Sequence, residues 1–310
     1  MEPKNMTTNL FRQTRPGEDK LYARIRDDVL GKSYRHSLEL MWSDYREYAP
    51  KGFPKKLQIE FHQRWWEMYL TLGLRRLGFP ISTSSRDDRP DLLLKFGNTK
   101  VWIEAVAPKS GTKSDAVPQP VVNGVEDLPM RECLLRFTQA LMTKKEKLKC
   151  YIQRGIVSEA DCYVVAVSAC SLNQFGTLLE WPQPVMLRVL AGAGDLAIPL
   201  SGSASPYSER KDVIFRDSGS SVDLALFDSA EFSSVAGILY SKQDPLNAPR
   251  APDESFEFFL NPRRKVEDPK AITERITTWS KERGTGEEVP WKKTKPIQSV
   301  NKQMPTLFGK

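Results

Sequence analysis

The chain has 310 residues, 40% of them hydrophobic, and a formal net charge of +7. That is enough apolar material for one large domain or two modest ones, and no run of eighteen apolar residues exists to span a membrane. The opening residues hold no apolar signal core, and Cys133, Cys150, Cys162 and Cys170 form no CxxC pair and have no His nearby, so neither secretion nor structural zinc is expected, and reduced thiols in a cytoplasmic protein are.

In chain order, residues 1–54 read as an N-terminal helical and extended segment. Helical spacing recurs within 21–48 (Leu38, Met41, Trp42, Tyr45), and Pro50 and Pro54 mark a break. Residues 56–77 form the strongest helix. Phe61, Trp65, Met68 and Leu72 make one row and Trp66, Leu70, Leu74 and Leu77 a second, so burial on much of its circumference is expected, with Gly78 closing it. Trp65 and Trp66 read as core rather than as a platform for bases. A short strand at 79–84 and a polar turn at 85–89 follow.

Residues 92–96 and 101–107 read as a hairpin about the Gly97-Asn98 turn. A polar loop at 109–129 leads to a second long helix, 130–154, with Leu134, Phe137, Leu141, Leu148 and Ile152 on one face. Residues 162–169 are a continuous apolar strand of the type buried on both faces. Helix, strand, hairpin, helix and buried strand together imply an α/β fold, a mixed sheet with helices on its faces.

Further on, strands are expected at 185–190, 195–200, 235–241 and 256–260, with 201–221 a flexible insertion and 269–283 a marginal helix. The implied organisation is a core over 55–170, a β-rich extension over 171–262 and a basic, flexible tail over 263–310. That tail holds twelve Lys/Arg against six Asp/Glu, nearly the whole excess of positive charge. It suits a polyanion such as nucleic acid, and equally a solvated tail with no partner.

The chemistry concentrates in the hairpin. Asp91 and Glu104 sit in strands that otherwise look buried, where a carboxylate is costly unless it is paired or binds a cation. Only two histidines exist, His36 (read as exposed) and His62 (read as half-buried), so carboxylate-plus-metal chemistry suits this chain better than a histidine base. Glu67 lies within the apolar helix; the plain alternative for it is a solvated stripe shared with Glu60 and Arg64.

Pro90-Asp91, then Glu104-Ala105-Val106 on the next strand, with a helix carrying an internal Glu before them and a helix and buried strand after, resembles the PD-(D/E)XK nuclease superfamily over roughly residues 55–170. The resemblance implies a restriction-endonuclease-like fold and Mg²⁺-dependent hydrolysis of DNA (Mn²⁺ substituting), as in restriction, phage-defence or mobile-element enzymes. It implies that Asp91, Glu104, the Ala105 carbonyl and Glu67 hold the metal. The pattern departs at Val106, where the family has a lysine. Either another lysine reaches the same point or the site is degenerate and the chain binds nucleic acid or a partner protein without turnover.

Lys144 and Lys145, flanked by Leu141 and Leu148 on the second helix, both read as turned to its packed face, and Lys144 is the expected replacement. The alternative is a solvated, Lys-rich helix end (Lys144, Lys145, Lys147, Lys149). Arg136, Lys145 and Lys95 are candidates for nucleic-acid contact. The C-terminal Gln303, Leu307 and Phe308 loosely resemble a sliding-clamp-binding peptide with one extra residue of spacing, and a homodimer is a further expectation for a DNA-cutting enzyme.

Overall fold

The computed structural model describes residues 10–12, 15–83, 88–112, 114–119, 127–172, 179–180, 183–197, 207–246, 255–281 and 291–296. The N-terminal segment is helical: α1 (Lys20–Asp27), α2 (Lys32–Tyr45) and α3 (Phe53–Leu57). Asp19 caps α1, its carboxylate accepting from the backbone N–H groups of Leu21 and Tyr22. The expected 56–77 helix is shared between α3 and α4 (Phe61–Arg76), which ends where Gly78 takes φ +74°.

From Trp65 to Leu74 every side chain of α4 is buried, as its double apolar row implies. Each fully buried aromatic here contributes roughly 1.5–3 kcal/mol, and the Trp66 indole N–H donates to the Ala166 carbonyl at 3.0 Å, pinning the helix to the sheet.

The sheet begins with β1 (Ile81–Thr83), β2 (Leu92–Phe96) and β3 (Thr99–Val106), all antiparallel, with Gly97 at φ +58° in the tight turn. Helix α5 (Met130–Gln153) then crosses over to β4 (Cys162–Ser168), which lies parallel to β3 and is buried at all seven positions. Its residues alternate between two cores. Val164 and Ala166 pack toward α1–α4, whereas Tyr163, Val165 and Val167 pack toward α5. An alternating strand covered on both faces must be apolar throughout.

The second half departs from the expected element list. Residues 185–190 are helical, in α6 (Val185–Ala191), with Gly192 at φ +65° as its left-handed cap. A six-residue apolar run has no period that separates a buried strand from a buried helix, and the glycine just beyond it is the discriminating signal. β5 (Ala193–Ala197) pairs antiparallel with β6 (Tyr207–Arg210), and β7 (Val213–Phe215) with β8 (Ser221–Asp223). Much of the expected flexible insertion is therefore ordered ribbon, and residues 198–206 lie outside the described ones.

β9 (Gly237–Ser241) and β10 (Glu257–Leu260) lie close to where expected. The expected 269–283 helix is one turn, α7 (Lys270–Thr273), after which β11 (Thr277–Ser280) pairs parallel with β10. Its Thr-Thr-Trp-Ser sequence fits a pleated, half-buried edge better than a helix. β12 (Lys292–Thr294) pairs antiparallel with β11, so part of the expected tail belongs to the sheet; residues 297–310, including the clamp-like peptide, lie outside the described residues.

Among the described residues the large sheet is eight-stranded and mixed, in the order β1-β2-β3-β4-β9-β10-β11-β12. The architecture is mixed α/β with helices on both faces, and no helix of the described residues is long and apolar enough to cross a membrane. The four cysteines are free.

Gly237 sits where β9 and its antiparallel neighbour β10 approach closely. A Cβ there would meet the Phe258 ring and stand 2.7 Å from the Phe259 carbonyl oxygen. Gly237→Ala is expected to cost about 1–3 kcal/mol by overpacking. A urea midpoint equal to wild type at unchanged m-value would contradict this.

Candidate active site

β3 carries Glu104 on the face that α5 covers, with Trp102, while Ile103 and Ala105 point into the opposite core. Glu104 is 1% exposed. A charge so buried needs partners, and three come from one helix. The ammonium groups of Lys144 and Lys147 each donate to Oε1 at 2.7 Å, and the Tyr151 hydroxyl donates to Oε2 at 3.1 Å. Positions 144, 147 and 151 are i, i+3 and i+7, a single stripe of α5. Burial, and then the negative charge of Glu104, hold the Tyr151 phenol above its usual range, and Glu104 outweighs burial in keeping the Lys147 ammonium protonated.

Asp91 precedes β2 by one residue, so the Leu92↔Ile103 register carried one step further sets it beside Glu104. Its Oδ2 accepts the Ala105 N–H at 2.7 Å, extending the ladder through a side chain. Oδ1 has no hydrogen-bond partner among the described residues. Desolvation first, then the charges of Glu104 and Glu67, push the Asp91 carboxyl up to about 8, against the opposing pull of the Ala105 N–H and Lys144.

The opposite wall is α4. Glu67 is buried and takes two 2.8 Å bonds from Arg64 Nη1 and one of 3.0 Å from Gln63 Nε2. Arg64 also reaches Glu60, so the stripe Glu60–Arg64–Glu67 does form, half-sunk against the site rather than solvated. Gln63 ties this wall to β3, donating to the Ala105 carbonyl at 3.3 Å and accepting the Ala107 N–H at 2.9 Å.

Between the walls is a cavity of about 720 Å³. Asp91, Glu104, Glu67, Ala105, Lys144 and Arg136 all line it, as does Val106. Lys56, Arg64, Arg89, Lys109, Arg136, Lys144 and Lys147 face four acids there, Glu60, Glu67, Asp91 and Glu104, so the lining is net positive when all are charged. Arg136 donates from Nη2 to the Asp115 carbonyl at 3.1 Å, and its buried Nε has no hydrogen-bond partner.

Two expected contact residues stand elsewhere. Lys145 is buried, but one residue along a helix turns a side chain by about 100°, and its ammonium pairs with Glu231 at 2.6 Å and Glu146 at 2.7 Å. Lys95 lies exposed on β2 opposite Lys100, four residues and roughly 13 Å of strand from Asp91. Lys147 and Tyr151 are site residues that sequence reasoning missed, although their i+3 and i+7 spacing from Lys144 is there to be read. Among the described residues no three His, Cys, Asp or Glu side chains come close enough to form a metal-ligand cluster, so the acids present themselves as the pair Asp91 and Glu104 with Glu67 held apart by Arg64.

Comparison with protein-family models, with curated proteins and with solved structures found no match to this chain. The functional reading therefore rests on the site's own chemistry.

A carboxyl raised from 3.8 to about 8 holds its proton more tightly in the folded than in the unfolded state. Between those pH values the folded chain binds the extra proton, and Asp91's influence lowers stability as pH rises through the window. Asp91→Asn, whose amide oxygen can still accept from Ala105, is expected to remove that loss. Urea midpoints at pH 5 and pH 8 in EDTA should separate wild type from the variant more at pH 8, the variant being the more stable. Equal separations at both pH values would contradict the electrostatic account.

Proposed function

We propose that this chain is a metal-dependent nuclease that hydrolyses DNA phosphodiester bonds, a variant of the PD-(D/E)XK type in which α5 supplies the lysine that position 106 lacks. The observation that carries the reading is the placement of Asp91, one residue before β2, beside Glu104 on β3, at the floor of a cavity whose α5 wall presents Lys144, Lys147 and Arg136. A phosphodiester needs both halves: acids for a cation and fixed positive charge for the phosphate.

The donor set fits a hard divalent cation. Among the described residues, Asp91 offers an oxygen with no protein partner in a region made unfavourable for negative charge by burial and two neighbouring carboxylates, and the Ala105 carbonyl, which lines the same cavity, is engaged only by the 3.3 Å bond from Gln63. Asp91, Glu104 and the Ala105 carbonyl would hold Mg²⁺, which when bound supplies an acidified water and neutralises the scissile phosphate. The chain's own residues do the remainder. Lys144 and Lys147 share one carboxylate oxygen, so one ammonium can turn to the phosphate while the other keeps Glu104 paired. Arg136 meets the backbone further along the same helix, and the Arg64–Glu67–Gln63 network holds β3 at a fixed distance from α4.

One observation favours a second reading. Both oxygens of Glu104 are already engaged by three protein donors, which is also how a site without a cation would be stabilised. A degenerate nuclease scaffold of this kind binds nucleic acid without cutting it.

Asp91→Asn and Glu104→Gln are each expected to reduce Mg²⁺- or Mn²⁺-dependent plasmid cleavage by roughly 100-fold or more, the scale of losing one group that stabilises developing charge, with far-UV circular dichroism unchanged. The double variant Lys144→Ala, Lys147→Ala should also lower the slope of log Kd against log salt for duplex DNA by about one, since one of the two ammonium groups meets a phosphate. Cleavage that survives both acid substitutions would sink the nuclease reading, and salt-sensitive binding with no turnover in either metal would select the second.

A further inference from the structure

Tyr45 stands in the wall of the same cavity, delivered by an N-terminal segment that the sequence pattern sets apart from the core. It is the last residue of α2 and is 3% exposed. Its ring is wedged against Trp42, with centroids 6.3 Å apart, and against Phe53 at 4.9 Å, while Trp42 and Phe53 stack on each other at 5.5 Å. That aromatic cluster leaves the side chain little rotational freedom.

The Tyr45 ring is buried, but its hydroxyl is not enclosed and stands at the cavity surface. It has no hydrogen-bond partner among the described residues, although Glu67 and Asp91 are near enough for their charge to act on it. Burial, and then those two carboxylates, hold the phenol well above its ordinary range, so at neutral pH it is a proton-bearing donor. The acids nearby are served by others: Glu67 by Arg64 and Gln63, Asp91 by the Ala105 N–H. A fixed donor without a resident acceptor, in the wall of the cavity that Asp91, Glu104 and Lys144 also line, is suited to an acceptor that arrives with the ligand.

We infer that the Tyr45 hydroxyl donates to a non-bridging oxygen of the bound phosphodiester, from the side of the cavity opposite Lys144. The inference rests on the nuclease or nucleic-acid reading above and adds to it a substrate contact from α2. A neutral donor there is compatible with Glu67 and Asp91, because it contributes a hydrogen bond to the phosphate without placing another charge to be desolvated beside Arg64. It also gives a reason for the N-terminal helices to pack against α4, since the segment completes the site.

The experiment compares wild type with Tyr45→Phe, which keeps the ring against Trp42 and Phe53 and removes only the hydroxyl, and with Tyr45→Leu, which removes both. Two arms are measured on the full chain: binding of a fluorescein-labelled 20-base-pair duplex in EDTA, and plasmid cleavage in Mg²⁺. A hydrogen bond to a charged group predicts a loss of about tenfold or more for Tyr45→Phe in at least one arm, with a thermal midpoint matching wild type. Tyr45→Phe within about threefold of wild type in both arms, a margin well inside the tenfold expected for such a bond, overturns the inference. It does so whether or not Tyr45→Leu fails, since a failure confined to Leu assigns the ring to packing. If wild type binds without cutting, the nuclease reading fails and the binding arm alone decides for or against Tyr45. A wild type inert in both arms overturns the two together.

Discussion

The ion-pair cluster on Glu104 is the constraint from which the rest of the site follows. A carboxylate with 1% exposure inside a sheet cannot remain charged without partners of equal commitment. Lys144, Lys147 and Tyr151 meet that demand from one stripe of α5, and in doing so set the helix's rotation about its axis over the sheet. With the rotation set, Thr143, Ala140 and Arg136 line the same cavity over the two turns before Lys144, and Lys145 is turned to Glu231 instead. A different rotation would expose the apolar row of Leu134, Phe137, Leu141 and Leu148 that packs beneath.

The second wall answers to a different demand. β2 stops at Leu92, so the strand edge beyond Ile103 would have unpaired amides. Asp91 takes the Ala105 N–H and Gln63 takes the Ala107 N–H and the Ala105 carbonyl, so side chains continue the ladder where backbone leaves off. Such an edge is open to a ligand in a way that a paired strand is not. Burial first, and then the two carboxylates Glu104 and Glu67, lift the Asp91 proton affinity, and four cations close by on the α4 and α5 sides (Arg64, Arg136, Lys144 and Lys147) offset that negative charge. Among the described residues the charges that set this balance all line the cavity.

Legibility from sequence followed the strength of the local signal. The hairpin was readable because Gly97-Asn98 forces a tight turn between two apolar runs, and the burial of α4 and β4 because apolar residues cover much of the helix and all of the strand. The acids were visible as polar residues in apolar strands. Lys144 was reachable from helical spacing, and Lys147 and Tyr151 could have been. Residues 185–190 failed for want of a period, and 277–280 because pairing with β10 overrode a weak helical pattern. Tyr45 was legible only as part of an apolar helical row: nothing in its neighbourhood of the chain says that a segment near residue 45 meets residues 67 and 91 in space.

By itself the sequence determined the covalent inventory and the local geometry: which strands alternate, where the chain reverses, which helices must be buried, and that two carboxylates lie in apolar strands. Those follow from interactions between near neighbours, whose spacing the backbone period sets. Only the tertiary structure decided which cations answer Glu104, that Lys145 and Lys95 do not, that Arg64 holds Glu67, and that α2 places a phenol at the cavity. Those contacts join residues 40 or more positions apart in several cases, such as Glu104 with Lys144, Lys147 and Tyr151, and they depend on how helices rotate against a sheet they are not adjacent to in sequence. Burial makes such contacts obligatory, but packing chooses among the residues able to satisfy them.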